Sequence, residues 1–154
     1  MTCVAHPPPE VAAIIAAAPS SKDRPLAFRP SGGSANYIDA AGNMDFSCFH
    51  HPIRVRLRLR PSHVYFSRRH ALSFAYEAGG EERPVTDGVR QFPGGIHRID
   101  VRTIRFTYRN ASDCGDPDGK RRCPKSAYGL YLVDANGHVR HVDPIIQNGG
   151  GSRY

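Results

Sequence analysis

Apolar and charged residues alternate without a break from Ile53 to Arg60, where the sequence reads IRVRLRLR. Successive side chains of an extended chain point to opposite faces, so this pattern places four apolar residues on one side and four arginines on the other. A helix would spread the arginines around its circumference and leave no continuous apolar face. The pattern therefore predicts a β-strand with one buried and one exposed face.

Shorter alternating segments recur along the chain and predict further strands. They cover residues 45–49, 63–67, 71–76, 96–109, 127–133 and 138–142. Turn-forming residues separate them, and the chain contains 15 glycines and 13 prolines. About seven short strands joined by turns indicate an all-β fold. We expect an antiparallel β-sandwich, either immunoglobulin-like or jelly-roll-like.

Two features refine the strand prediction. Within 96–109 the apolar residues move from odd to even positions near Arg102 and Thr103, which predicts a β-bulge or a strand that crosses between sheets. Between 127 and 142 the sequence Asp134-Ala-Asn-Gly137 separates two alternating runs. Asn and Gly tolerate the backbone angles of a tight turn, so a β-hairpin is predicted over Ala127–Val142.

The first 36 residues lack this alternation. An Ala-rich run, Val11–Ala18, lies between Pro9 and Pro19 and predicts about two turns of helix. Residues 19–36 are rich in Pro, Ser and Gly, which is typical of a linker. We therefore expect an N-terminal arm with one short helix, a β-sandwich domain and a flexible tail. Their predicted bounds are 1–36, 37–148 and 149–154.

The apolar run near the N-terminus is a poor export signal because no basic segment precedes it, and it is too short to span a bilayer. A cytoplasmic location is therefore the first expectation. A secreted or periplasmic location follows if the start of translation is mis-assigned.

Positive charge is concentrated in the strand-rich part of the chain. The formal net charge is +7, and residues 51–154 carry 18 basic and 10 acidic side chains, a difference of +8. Such an excess favours acidic partners. Arginine outnumbers lysine by 18 to 3, a bias that genomic base composition can also produce.

The candidate binding residues are cations in three segments. On the predicted strand alternate arginines stand about 6.6 Å apart, close to the spacing of phosphates along an extended nucleic-acid strand. Tyr65 and Tyr76 would then offer stacking surfaces. Pairing with acidic residues of neighbouring strands is the simpler explanation. The candidates are Arg54, Arg56, Arg58, Arg60, Arg68, Arg69, Lys120, Arg121 and Arg122.

Four cysteines raise questions of redox state and metal binding. Cys114 and Cys123 could close a disulfide in an oxidising compartment or remain free thiols in a reducing one. The pairs Cys3-x-x-His6 and Cys48-x-His50 permit a zinc site, although a buried free Cys48 is the simpler interpretation. Nearby aspartates, Asp113, Asp116 and Asp118, suit calcium but are also typical of turns. We predict no metal and no cofactor.

The sequence contains no specific catalytic signature. Eight histidines allow a small hydrolase or nuclease that uses acid–base chemistry, but no pair has a diagnostic spacing. We therefore expect a non-catalytic binding or assembly module that engages a protein partner or a second copy. Its surface would be the basic sheet face or the long loops 78–95 and 110–125. The first alternative is single-stranded nucleic-acid binding, and the second is a histidine-dependent hydrolase.

Overall fold

The computed structural model describes residues 10–16, 27–49, 51–60, 64–86, 88–114, 116, 118, 120–134, 136–137, 139–142 and 144–148, with the backbone alone for 139–142. These residues form twelve strands and one 3₁₀ helix, Gly32–Asn36. The strands are β1 (Val11–Ala16), β2 (Ala27–Pro30), β3 (Met44–Asp45), β4 (Ile53–Leu59), β5 (Tyr65–Phe66), β6 (Leu72–Ala75), β7 (Arg83–Pro84), β8 (Ile96–Asp100), β9 (Thr103–Tyr108), β10 (Lys125–Val133), β11 (Val139–Val142) and β12 (Ile145–Gln147).

The strands form two mixed sheets, which confirms the all-β prediction. The first sheet has the order β2-β1-β4-β9-β8. The second has the order β3-β12-β10-β6-β7, and β5 and β11 also pair with β10. The prediction of purely antiparallel sheets is wrong, because β1 runs parallel to β4 and β3 runs parallel to β12. Parallel neighbours need a crossover, which β2, the 3₁₀ helix and β3 supply between β1 and β4.

The arginine-rich strand has the predicted alternation. In β4 the apolar residues Ile53, Val55, Leu57 and Leu59 are buried, whereas the arginines between them are exposed. β1 and β9 flank it, so β4 lies at the centre of the first sheet. Its apolar face packs into the core, and its arginine face is left on the outside of the sheet.

The predicted N-terminal helix is wrong: Val11–Ala16 is strand β1, between β2 and β4. A short apolar run has no periodicity that separates a buried strand from a helix. Here two neighbouring strands satisfy its backbone groups, whereas two isolated helical turns would be marginal. Since β1 and β2 are strands of the first sheet, residues 11–16 and 27–30 of the predicted arm belong to the body. Residues 19–26 of the linker and the tail 149–154 lie outside the described residues.

β8 and β9 form a hairpin where a single bulged or crossing strand was predicted. Asp100 pairs with Thr103 across the turn, and the register shifts between Arg98 and Asp100. The carboxylate of Asp100 accepts a hydrogen bond from the Arg102 backbone N–H at 2.8 Å, which stabilises a turn without Gly or Asn. The change of phase is therefore a chain reversal next to a bulge. The predicted hairpin over Ala127–Val142 is confirmed as β10 and β11.

Side chains of both sheets share one hydrophobic core. Phe74 of β6 contacts Tyr108 of β9, with ring centroids 5.9 Å apart. Phe92, from the long segment 78–95, is fully buried and lies 5.1 Å from the Phe74 ring and 5.6 Å from the Phe106 ring. This segment is thus anchored in the core.

A disulfide and a set of buried hydrogen bonds hold the second long loop, 110–125, in place. Cys114 and Cys123 form a disulfide with their Cα atoms 5.2 Å apart. The buried Asn148 amide donates hydrogen bonds to the Cys123 carbonyl and the Ser126 hydroxyl, both at 2.8 Å, and accepts one from the Tyr108 hydroxyl. Through Asn148 the loop is therefore connected to Tyr108 of the first sheet and to Ser126 of the second. In the part of the chain that the structure describes, no helix is long and apolar enough to cross a membrane.

Candidate functional site

A cluster of cations covers the outer surface of the first sheet, and we call it the arginine face. Strand alternation exposes each of its members, and the pairing registers bring four strands together. For example, Ile14 of β1 lies opposite Arg29 on one side and Arg58 on the other. The arginine face consists of Arg29, Arg54, Arg56, Arg58, His97 and Arg105.

Basic side chains lie directly opposite one another at the centre of this face. Arg56 of β4 pairs with Arg105 of β9, and Arg105 pairs with His97 of β8. Side chains in such cross-strand pairs have Cβ atoms about 4.5 to 5.5 Å apart, and like charges there are destabilising. The sheet therefore holds two guanidinium groups, Arg56 and Arg105, as an unfavourable cross-strand pair with His97 beside them.

Two carboxylates adjoin the arginine face. The Glu10 carboxylate lies 3.3 Å from the Arg56 guanidinium, and half of the Arg56 side chain is exposed, so the pair contributes little to stability. The hydrogen bond from the Arg102 backbone N–H, with nearby Arg58 as a smaller cause, lowers the pKa of Asp100. The Asp100 carboxylate therefore already accepts a hydrogen bond within its own turn. Five arginines outnumber these two carboxylates.

A shallow depression of about 380 Å³ lies within the face. Its floor is apolar because Ala12 and Ile14 of β1 lie opposite Arg56 and Arg58. Thr103, the exposed Ile99 and the acidic Asp100 form part of its wall. The depression offers two guanidinium groups beside an apolar floor, which suits a ligand group that carries both an anionic and an apolar part.

The edges of the first sheet are protected against strand addition. At β8 there is a bulge, and the Arg98 guanidinium donates to the Ser67 carbonyl at 2.6 Å and the Phe66 carbonyl at 3.3 Å. At β2 the Phe28 N–H donates to the Ala40 carbonyl at 2.8 Å. Bulges and bound edges disfavour pairing with another chain. The arginine face is consequently more accessible to a binding partner than the edges of the first sheet.

The other predicted binding residues are exposed but belong to different elements. Arg60 follows the end of β4. Arg68 and Arg69 follow β5, a strand of the second sheet. Lys120, Arg121 and Arg122 lie in the disulfide loop, where Arg121 pairs with Glu77 at 3.0 Å. The structure thus brings together the three arginines of β4 on one sheet face, whereas the loop and β5 cations belong to other elements.

Sequence reasoning missed three members of the arginine face. Arg29 fell in the predicted linker, and Arg105 and His97 fell in the segment interpreted as one strand. The alternation of TIRFTYR gives Arg105 an outward position, but only the register of β9 against β4 places it opposite Arg56.

The aromatic residues proposed for base stacking lie elsewhere. Tyr65 is on β5, with the Arg102 guanidinium carbon 4.8 Å from its ring centroid. Tyr76 is half-buried and donates a hydrogen bond to the Gln91 side chain; desolvation raises its pKa. Among the described outer positions of the first sheet there is no Phe, Tyr or Trp. Neither Tyr65 nor Tyr76 therefore lies on the arginine face, and their role as stacking surfaces stays a prediction.

The zinc hypothesis does not fit the state of Cys48, which is disulfide-bonded. A disulfide sulfur is not a thiolate ligand, and the interpretation of Cys48 as a buried free thiol is also wrong. Cys3, His6 and His50 lie outside the described residues. Within the described ranges, no group of three or more His, Cys, Asp and Glu side chains could hold a metal ion.

The calcium candidates form a turn. The Asp116 carboxylate accepts the backbone N–H groups of Asp118 and Lys120 at 3.0 Å and 3.2 Å. Such short-range hydrogen bonds are the turn-forming role of aspartate.

Two histidines considered for acid–base chemistry belong to different sheets. His70 packs against Tyr131, with ring centroids 4.3 Å apart, and His97 lies on β8. His63, His138 and the side chain of His141 lie outside the described residues.

Comparisons with known proteins give no match: no family model matches the chain, and no curated protein or solved structure is significantly similar to it. The geometry and chemistry of the arginine face are therefore the basis for a functional proposal.

Proposed function

We propose that this protein is a non-catalytic binding module that engages an acidic protein partner through the arginine face. The observation that supports this proposal is the row Arg56, Arg105 and His97, in which basic side chains lie in register across three neighbouring strands. The like charges of Arg56 and Arg105 repel each other in the free protein. Carboxylates of a partner would relieve the repulsion and add charge-assisted hydrogen bonds to the guanidinium groups.

The character of the face favours a protein over a nucleic acid. Single-stranded nucleic acids are usually bound by cations together with aromatic side chains on which bases stack. The described outer positions supply cations without Phe, Tyr or Trp. The depression beside Arg56 and Arg58 has an apolar floor, which suits the mixed apolar and acidic side chains of a protein surface.

We also infer an oxidising compartment for this protein. Cys48, Cys114 and Cys123 are all disulfide-bonded. Stable disulfides are typical of secreted and periplasmic proteins and rare in the cytosol. The oxidised cysteines favour a secreted or periplasmic location over the cytoplasmic one expected from the sequence.

Binding of poly-L-glutamate, used as a probe for an acidic protein surface, tests the proposal. We expect salt-dependent binding that the variant Arg54→Ser/Arg56→Ser/Arg105→Ser weakens about tenfold, since each exposed charge pair contributes about 0.2 to 1 kcal/mol. The matched control Lys120→Ser/Arg121→Ser/Arg122→Ser removes the same charge from the disulfide loop and should bind like the wild type.

Three results would contradict the proposal. If the loop variant loses binding and the face variant keeps it, the site is the disulfide loop. If all three proteins bind equally weakly, the basic face serves solubility. If single-stranded DNA binds more tightly than poly-L-glutamate and loses affinity only with the face variant, nucleic-acid binding replaces the proposed function.

A single substitution separates binding from stability. Arg105→Thr removes the repulsion with Arg56 and introduces a residue with high β propensity. We expect the free energy of unfolding in urea to rise by up to about 1 kcal/mol, while the affinity for poly-L-glutamate falls. A loss of stability, or an unchanged affinity, would show that Arg105 is not held in place for binding.

A further inference from the structure

Among the described residues, three exposed large apolar side chains lie on β5 and the adjoining β8–β9 hairpin: Tyr65, Ile99 and Val101, which we call the apolar tip. Their exposed fractions are 37%, 53% and 42%. The Phe66 N–H donates to the Val101 carbonyl at 3.0 Å, so the end of β5 is tied to the β8–β9 turn. The three side chains therefore come from two adjoining elements that lie in different sheets.

The local structure turns these side chains toward water. Val101 occupies a two-residue turn, a position where polar residues or glycine are usual. Ile99 lies at the bulge between Arg98 and Asp100, where the register with β9 shifts. Neither side chain fills the core, so in the free protein their exposure is unfavourable.

Arginines surround the apolar tip, together with the exposed carboxylate of Asp100, which stands between Ile99 and Val101 and accepts a hydrogen bond from the Arg102 backbone N–H. Arg58 pairs with Thr103 next to the turn, and the Leu59 N–H donates to the Arg102 carbonyl at 2.7 Å, which brings the end of β4 and the exposed Arg60 close to it. The guanidinium group of Arg102 lies over the Tyr65 ring. Arg68 and Arg69 follow Tyr65 by three and four positions and are exposed.

We propose that the apolar tip inserts into the surface of an anionic lipid bilayer, with the surrounding arginines at the level of the lipid headgroups. Aliphatic side chains and a tyrosine ring beside basic residues match the apolar and anionic layers of that interface. Val101 lies on an exposed turn, and Tyr65 and Ile99 are exposed on the strands next to it, which suits a deformable bilayer surface. This site shares Arg58 and Ile99 with the arginine face and its depression, but it does not include the row Arg56, Arg105 and His97, and it does not depend on acidic-protein binding.

Partition of the full chain onto vesicles tests the proposal. We expect binding to phosphatidylcholine vesicles that contain phosphatidylglycerol and weak binding to phosphatidylcholine alone. Ile99→Ser/Val101→Ser should lower the partition coefficient about 30-fold, the effect of withdrawing roughly half of two aliphatic side chains from an apolar phase. Arg60→Ser should lower it about fivefold. The control Ile145→Ser removes the other exposed large apolar side chain in the described residues, on the second sheet, and should have no effect.

The absence of tryptophan from the chain allows a direct test of insertion. Val101→Trp should show a blue-shifted fluorescence spectrum with anionic vesicles, and the control Ile145→Trp should not. These positions are exposed, so the readout does not depend on a destabilising core substitution.

Four outcomes would overturn the proposal. The first is that the wild type does not bind anionic vesicles, and the second is that the wild type and Ile99→Ser/Val101→Ser partition equally. The third is that the tip variant and the Ile145→Ser variant lose the same fraction of the partition coefficient. The fourth is that the Val101→Trp fluorescence spectrum shifts with poly-L-glutamate but not with vesicles. The second outcome would indicate electrostatic adsorption alone, and the last would assign the apolar tip to an acidic protein.

Discussion

Single side chains connect distant parts of this chain. Asn148 follows the last described strand, yet its amide bonds to Ser126 at the start of β10, to the Cys123 carbonyl and to the Tyr108 hydroxyl. Gly42 is a second example: its φ is +88°, and a Cβ there would lie 2.5 Å from the Phe28 ring. Its carbonyl accepts the hydroxyl of the buried Tyr128. Both residues have roles that only their tertiary neighbours explain.

Replacing the Asn148 amide tests its structural role. Asn148→Leu should lower the free energy of unfolding by about 3 kcal/mol or more, because the Tyr108 and Ser126 hydroxyls and the Cys123 carbonyl would lose buried partners. Urea unfolding measures the change. The adjacent Gln147 is exposed, so Gln147→Leu should change stability by less than about 0.5 kcal/mol. Equal effects of the two substitutions would show that the buried hydrogen bonds contribute little.

At the scale of secondary-structure elements, the residues of a strand or loop reflect what that element contacts. β1 is apolar on both faces, and its outward residues Ala12 and Ile14 lie opposite Arg56 and Arg58, whereas β4 separates apolar and charged residues cleanly. The loop 110–125 has few apolar residues but is closed by a disulfide and by the Asn148 hydrogen bonds. The order of this loop therefore comes from cross-links rather than from a core of its own.

Removal of the loop disulfide measures its contribution. The bond joins cysteines nine positions apart, and closing a loop of that size stabilises a fold by about 2 to 3 kcal/mol in the chain-entropy estimate. We expect Cys114→Ala/Cys123→Ala to lower the free energy of unfolding by that amount while the circular dichroism spectrum stays β-dominated. The control Lys120→Ser/Arg121→Ser/Arg122→Ser keeps the disulfide. A loss below about 1 kcal/mol would mean that the Asn148 hydrogen bonds hold the loop alone.

At the scale of the whole molecule, buried phenols make stability depend on alkaline pH. Burial raises the pKa of Tyr108 and Tyr128, and desolvation also raises the pKa of Tyr76. Above about pH 10 the unfolded chain releases phenolic protons that the folded protein keeps. The free energy of unfolding should therefore be unaffected by these groups below that pH and fall as the pH rises above it.

Urea unfolding at a series of alkaline pH values checks this expectation. The slope should reach about 1.4 kcal/mol per pH unit for each such tyrosine. Tyr128→Phe removes one buried phenol, so its slope should be shallower than that of the wild type, although its stability at neutral pH falls with the lost hydrogen bond to Gly42. An unchanged slope would show that Tyr128 does not couple folding to alkaline pH.

Local pattern was sufficient for the parts of the fold that a few neighbouring residues specify. The alternation of Ile53–Arg60 determined strand β4 and the outward position of its arginines, because side chains of an extended chain alternate regardless of context. The Asp134–Gly137 turn determined the β10–β11 hairpin for a similar reason: its residues accept the backbone angles of the turn. Three members of the arginine face followed from this information.

Tertiary structure decided the rest, since a sequence does not state which strands become neighbours. Val11–Ala16 became a strand because β2 and β4 satisfy its backbone, and the same pairing made the first sheet mixed. The register of β9 and β8 against β4 aligned Arg105 and His97 with Arg56. A shift by one residue would have turned their side chains to the other face of the sheet. The charged row and the exposed apolar tip are consequences of long-range pairing, which no local periodicity encodes.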